Sequence, residues 1–428
     1  MVHGQEKRRA NKRLHYGWIV MAVTFLILLA GAGVRATPGV LIPPLEAAFG
    51  WSAEQISTAI SINLVLYGLL GPFAAALMQT MGVRRVAAIA LILLASGSLL
   101  SLWMRSPTQL ALTWGLLVGT GSGMAALTLG ATVANRWFVK HRGLAMGLMT
   151  ASSATGQLVF LPLMAALVTA HGWQAAVWVS GLGALIVLPL SWILLREHPR
   201  DLGMMAVGAY TASEAESPKV STNPFSSAVA ALMSASQHKG FWLLAGSFFV
   251  CGASTNGFIG THFIAMCSDH GISSIHSASL LATMGVFDLF GTTFSGWLSD
   301  RFDNRKLLFL YYGLRGLSLL FLPFAFGLPF YGLPIFTVFY GLDWIATVPP
   351  TVRLATTTFG RESGPVVFGW IVAFHQLGAA FAAFVAGSMR ATLGNYELAT
   401  MLSGGLCVVA AVVVLRLRVR SHALPRPS

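Results

Sequence analysis

The chain has 428 residues, 55% of them hydrophobic and 10% charged, with a net charge of +13. Soluble domains carry about 25% charged residues, so the composition excludes a soluble enzyme or a string of soluble domains. The basic residues do not gather into a nucleic-acid patch; they punctuate long apolar runs, so no nucleic-acid partner is expected.

In chain order, a basic N-tail (1–15) precedes six apolar runs at 16–37, 53–78, 86–104, 108–134, 143–168 and 173–195. A polar interval at 196–240, with Pro199, Pro218, Pro224 and many serines, reads as a linker with a short surface helix near 225–235. Six more runs follow at 241–267, 276–298, 306–326, 331–352, 364–388 and 397–415, and 418–428 is a C-tail. Runs of about 20 residues cross a hydrocarbon core of about 30 Å at 1.5 Å per residue. The expectation is an all-α membrane protein of twelve transmembrane helices in two pseudo-symmetric six-helix bundles, 16–195 and 241–417. The first run is too long for a cleaved signal, and eleven more follow it.

Of the 27 Lys and Arg residues, all but Arg35, Arg105, Arg315 and Arg390 fall in the tails, the linker or the even-to-odd turns. That is the positive-inside pattern, with both termini cytoplasmic in a plasma (cell inner) membrane and the cations against anionic lipid headgroups. The turns are short and hold no catalytic domain. Cys251, Cys267 and Cys407 lie in or at the ends of spans, without metal-ligand spacing or a disulfide framework. No metal and no cofactor are expected.

The halves echo each other. ALMQTMGVRR (76–85) follows the second run and GWLSDRFDNRK (296–306) follows the eighth, about half a chain apart. Repeats in the same orientation place a pseudo-two-fold axis along the membrane normal and a substrate site between the halves. The second stretch resembles the G-x-L-x-D-R-x-G-x-R-K loop of the major facilitator superfamily. It matches at Gly296, Leu298, Asp300, Arg301, Arg305 and Lys306, with Asp303 in place of the glycine. The first copy keeps Leu77, Gly82, Arg84 and Arg85, but Gln79 replaces the acid, so its latch should be weaker. WFVKHRGLAMGLMTASSATG (137–156) resembles the monocarboxylate porter signature at Trp137, Phe138, Lys140, His141, Arg142, Leu144, Ala145, Gly147 and Ala151. ANRWF followed by RGLA is also similar to oxalate/formate exchangers, and YGWIV (16–20) to the opening of that group's first span. The resemblance implies transport of small organic anions, commonly monocarboxylates, by proton symport or anion exchange.

Ionisable groups at membrane depth cost several kcal/mol and face a cavity or a partner. The candidates for lining a substrate cavity are Arg35, Asn63, Tyr67, Asn256, His262, His375 and Gln376. Those for proton coupling are Asp288, Arg315 and Asp343. Gly82, Arg84, Arg85, Gly296, Asp300, Arg301 and Arg305 are the candidate gating loop. Asp288 stands about 18 Å above Asp300 and Arg315 about 14 Å above Lys306. Both lie in one layer, where an ion pair between them is geometrically allowed, either structural or broken by substrate or proton. By resemblance, Arg35 falls at or within one residue of the family's span-one lysine and Asp288 at its span-eight aspartate, while Thr292 stands where the family has an arginine. An arginine stays charged and binds carboxylates through two parallel hydrogen bonds, which makes Arg35 the anion anchor and Asp288 the titrating group. Gly115, Gly119 and Gly123 line one face for close helix packing. Pro349 and Pro350 should break or kink the tenth span. The reading is a monomeric secondary active transporter of a small organic anion with protons as partner. The alternatives are an anion exchanger, an exporter of organic solutes or drugs, and a membrane sensor that does not transport.

Overall fold

A computed structural model describes residues 15–141, 144–146, 148, 149, 152, 156, 160–209, 224–328 and 330–417. Among these residues the regular structure is helical, apart from one bridge between Phe138 and Val207. Helix occupies all twelve expected positions. Spans one to four are Tyr16–Phe49, Ala53–Thr80, Val83–Leu100 and Pro107–Trp137. Span five is described in part and ends as Leu161–His171; span six is Trp173–Leu194. The linker helix is Pro224–Ser236. Spans seven to nine are Lys239–Asp269, Ser274–Ser299 and Asn304–Ala325. Span ten is Gly332–Asp343 continued at 348–359, span eleven Ser363–Leu393 and span twelve Glu397–Val414.

Among the described residues, nine helices are long and apolar enough to cross a membrane. The others have local reasons for falling short. Span five is incompletely described, span eight is interleaved with serine and threonine, and span ten is broken. Gly360 (φ 87°) separates spans ten and eleven in a conformation that L-residues avoid.

Span one runs past its expected end at residue 37 to Phe49, with Pro38, Pro43 and Pro44 inside the helix. In water each missing N–H would invite termination. Here Val40, Leu41, Ile42 and Leu45 are buried, and packing holds the helix together through the prolines.

Three seams join the halves: span one with seven, two with eleven, and five with eight. One end of the molecule carries residue 15, residue 417 and the basic turns; it is called the terminal end here, and the opposite one the far end. At the far end a single apolar core contains both halves, including Leu41, Leu45, Ile60, Phe258, Ile264 and Ala383. At the terminal end each half keeps its own core, around Ile27, Leu91 and Trp137 in one and Phe241, Leu308 and Ile371 in the other. Apolar burial therefore welds the halves at the far end.

The two–eleven seam runs deeper. The Ser61 hydroxyl donates to the Ala380 carbonyl (2.8 Å), and Gly68 lies so close to Gln376 that a Cβ there would overlap that side chain. Phe73 meets Trp370 edge-on at 5.6 Å. The linker helix lies across this seam: Phe225 stacks on Phe73 at 5.9 Å, and Trp370 Nε1 donates to the Ala228 carbonyl (2.8 Å).

A second part of the linker is stitched to the first half. Val207 N donates to the Trp137 carbonyl (2.7 Å), and Val139 N and Lys140 N both donate to the Val207 carbonyl (3.1 Å). His15 Nε2 bonds the Met205 carbonyl (3.1 Å), and the Tyr16 hydroxyl donates to the Leu194 carbonyl (2.8 Å). Trp137 and Phe138 are buried in this clamp, with Trp18 edge-on to Phe138 at 5.1 Å. The aromatic start of the porter-like stretch thus anchors the terminal end. Its Arg142, Gly143, Gly147 and Ala151 lie outside the described residues, as do residues 1–14, 210–223 and 418–428.

Candidate functional site

Arg35 sits mid-helix on span one, partly buried, with its guanidinium 4.9 Å from the ring centre of Tyr67 on span two. Among the described residues no hydrogen bond or ion pair reaches that guanidinium. A cation at this depth with an open donor fork is the chemistry of an anion site. Gln376 packs on Gly68, next to Tyr67, so span eleven brings the second half to the same level. Gln376 Oε1 and His375 Nδ1 are buried without partners among the described residues. Asn256 is partly exposed within a π-helical stretch of span seven, Ala253–Ile259. Such bulges turn side chains out of helical register.

Two other candidates have structural partners. Asn63 Nδ2 donates to the Trp114 carbonyl (2.7 Å), tying span two to span four. His262 is buried at the far end: Nε2–H donates to the Ala383 carbonyl (2.8 Å), so Nδ1 accepts from the Tyr396 hydroxyl (2.9 Å). That ring binds spans seven and eleven to the start of span twelve.

The ion pair allowed between Asp288 and Arg315 is not the one that forms. Arg315 is fully buried and pairs with Asp343 (Nε to Oδ2, 2.6 Å). The reason is the break in span ten. Residues 344–347 leave the helix, and Pro349 and Pro350 supply no N–H to the turn before them. At membrane depth those freed backbone groups need partners. Arg315 Nη2 donates to the carbonyls of Asp343 (2.5 Å) and Trp344 (3.2 Å). Asp288 Oδ1 accepts the N–H of Ile345 (2.8 Å) and the Thr292 hydroxyl (2.8 Å). The Ser295 hydroxyl donates to the Ala346 carbonyl (2.6 Å), which Pro350 would otherwise have left bare. Arg315 Nη1 also reaches Cys251 Sγ (2.8 Å) on span seven. Asp288, Arg315 and Asp343 therefore belong to one network, wrapped around a hinge. Thr292 steadies Asp288 from one turn along the same helix.

The candidate gating residues contact their own halves. Arg301 lies over the Trp297 ring (4.1 Å), Asp300 pairs with Arg353, and Arg305 binds Asp303 (2.7 Å) and the Leu417 carbonyl (3.0 Å). The Arg305 guanidinium holds the Asp303 carboxyl below its usual range. Gly296 is partly buried and Arg85 exposed.

In the first copy, the acid missing at Gln79 is supplied from the linker. Glu197 accepts from the N–H groups of Val83 (2.7 Å) and Arg84 (2.9 Å), capping span three, and pairs with Arg136 (3.0 Å). Gly82 (φ 90°) makes room: a Cβ there would lie 2.6 Å from Glu197 Oε1. Arg84 stacks over Trp192 at 4.2 Å. Replacing Glu197 by alanine should cost about 1–2 kcal/mol, the worth of a charged cap, seen as a lower thermal midpoint in detergent. An unchanged midpoint would remove Glu197 from the latch.

At the far end Arg390 binds Asp269 through two parallel bonds (2.8 and 2.9 Å) and also binds Glu46 of span one. Among the described residues this is the one ion pair that joins the halves. Sequence reasoning passed over Glu46, Asp269 and Glu197. The available signal was Arg390 itself, one of two basic residues expected on the far side.

The profile of the Major Facilitator Superfamily matches residues 23–259 and again 244–428. Among known proteins the chain is similar to monocarboxylate transporter 13 of Bos taurus, with 29% identity over 94% of this chain and 89% of that one. It is 24% identical to an uncharacterized MFS-type transporter, YcxA, of Bacillus subtilis (93% and 92% covered) and 25% identical to monocarboxylate transporter 11 of Homo sapiens (96% and 84%). In fold it is similar to a D-xylose-proton symporter (TM-score 0.72, 15% identity, 94% and 98% covered). It is also similar to a bacterial homologue of the lysosomal transporter Spinster (TM-score 0.70, 16% identity, 94% and 95%). With its two bundles of six transmembrane helices, the chain is a multi-pass membrane transporter, not an enzyme, and belongs to the major facilitator superfamily.

Proposed function

We propose that the protein moves a small organic anion, a monocarboxylate, across the plasma membrane by alternating access, coupled to protons. The observation that carries this is Arg35: a guanidinium at mid-membrane, stacked on Tyr67 and free of counter-charge among the described residues. A substrate carboxylate completes it. Tyr67, Gln376 beside Gly68, and Asn256 in the π-helical stretch of span seven orient the rest of the substrate. With both termini cytoplasmic, the welded far end makes this the state closed to the outside. The similarity to proteins named monocarboxylate transporters supports the substrate class. The test is uptake of labelled small carboxylates into liposomes with and without an inward proton gradient. Counterflow without the gradient separates exchange from symport.

Asp288 is the coupling group in this reading. Its protonation loosens the grip on the Ile345 amide and lets the break in span ten move. Asp288→Asn keeps an oxygen to accept that amide but cannot ionise. The expected result is gradient-driven uptake reduced about tenfold, the scale of a coupling near 1.4 kcal/mol, with counterflow preserved. Unchanged proton dependence would take Asp288 out of the coupling step.

A further inference from the structure

The far-end cluster carries more than closure. Asp269 and Arg390 lie in the same half and hold each other through a two-bond fork, so they stay paired when the halves part. Glu46 lies in the other half and must leave. Its departure frees the Nη1 edge of Arg390 toward the opening mouth. The cluster is partly exposed, so small solutes reach it. What Glu46 places on that edge is a carboxylate, the same group that the proposed substrate carries. Glu46 is also eleven residues, three helical turns, beyond Arg35, which sets both on one face of span one, about 16 Å apart.

We propose that Arg390 is a second carboxylate-binding site, at the far mouth, where the carboxylate of an incoming organic anion displaces Glu46 and thereby unlocks the halves. The Asp269 fork stays in place throughout, and exchange of one carboxylate for another keeps the Nη1 edge of Arg390 occupied as Glu46 leaves. The anion then moves down the face that Glu46 shares with Arg35. Substrate acts as its own key: an uncharged analogue lacks the group that competes for the edge. This rests on the organic-anion reading above.

The test uses Ser57→Cys as reporter. Ser57 is buried at the far end of span two against Gly387 of span eleven, and the exchange of oxygen for sulfur is small. The native cysteines are buried. Labelling by a membrane-impermeant maleimide is followed in cells or oriented proteoliposomes, with L-lactate as probe and lactamide as its uncharged control. Lactate is expected to speed labelling of S57C, and lactamide to leave it unchanged. Adding Glu46→Gln should speed labelling about fivefold without any anion, the scale of one partly screened pair, and lower the KM for lactate entering from the far side. Arg390→Gln should label fast and lose the response to lactate. Thermal midpoints of all variants check folding. If Glu46→Gln labels no faster than its parent, the lock is overturned. If the parent transports lactate but its labelling ignores lactate, the displacement is overturned. If the parent carries no carboxylate of any kind, the proposed function fails instead, and the Glu46→Gln rate still decides the lock.

Discussion

Arg35→Gln is expected to lower carboxylate uptake, as kcat/KM, by at least about thirtyfold, the smaller end of losing a desolvated charge partner. The protein should remain folded, because among the described residues the partner of the guanidinium is the Tyr67 ring, worth about 1 kcal/mol. Thermal midpoint and uptake are therefore expected to separate, with little change in the first and a large loss in the second. Arg35→Lys keeps the charge but loses the planar fork, and should fall between. The measurement is initial uptake in liposomes at matched protein incorporation. Parent-like uptake by Arg35→Gln would remove Arg35 from the substrate path.

The second large effect is on stability. Asp343→Leu leaves Arg315, which is buried on every side, facing two carbonyls and a thiol but no directly paired carboxylate. Breaking such a pair costs about 3–5 kcal/mol, because the stranded charge stays buried. Adding Arg315→Met removes that charge and should recover part of the loss. Recovery stops short of complete, since the carbonyls of Asp343 and Trp344 then lose their donor, at about 1 kcal/mol or more each. The prediction is a double variant at least about 2 kcal/mol more stable than Asp343→Leu alone. Denaturant unfolding in detergent reads it. A single variant as stable as the parent would show that the pair holds nothing.

Much of the fold was legible because a membrane constrains it so strongly. Apolar length gave twelve positions, and repeated loops gave two halves. Span one was cut short at Pro38, because the sequence alone does not show the burial that carries a helix through three prolines. Single residues in the site were harder. Asp288 and Arg315 were placed in one layer, yet partner choice depended on the break in span ten, which brought Asp343 and two carbonyls to the guanidinium. Gln79 read as a lost acid, and its replacement lay more than a hundred residues away in the linker, as Glu197. No local pattern announces such a substitution, since a carboxylate that follows a span looks like any surface charge.

The clamp between Val207 and the turn after span four has a consequence for how the protein is made. His15 and Met205, which it brings together, are 190 residues apart. Chains emerge from the ribosome N-terminal part first. Span one therefore enters the membrane with its opening residues unclosed, and remains so until five more spans and the first part of the linker have followed. The first bundle is completed by a short linker segment that lies beyond it in the sequence. A chain cut directly after Leu194 would hold all six spans of that half and still lack both the Val207 clamp and the Glu197 cap. Residues 195–209 belong, in biosynthesis, to the bundle they follow.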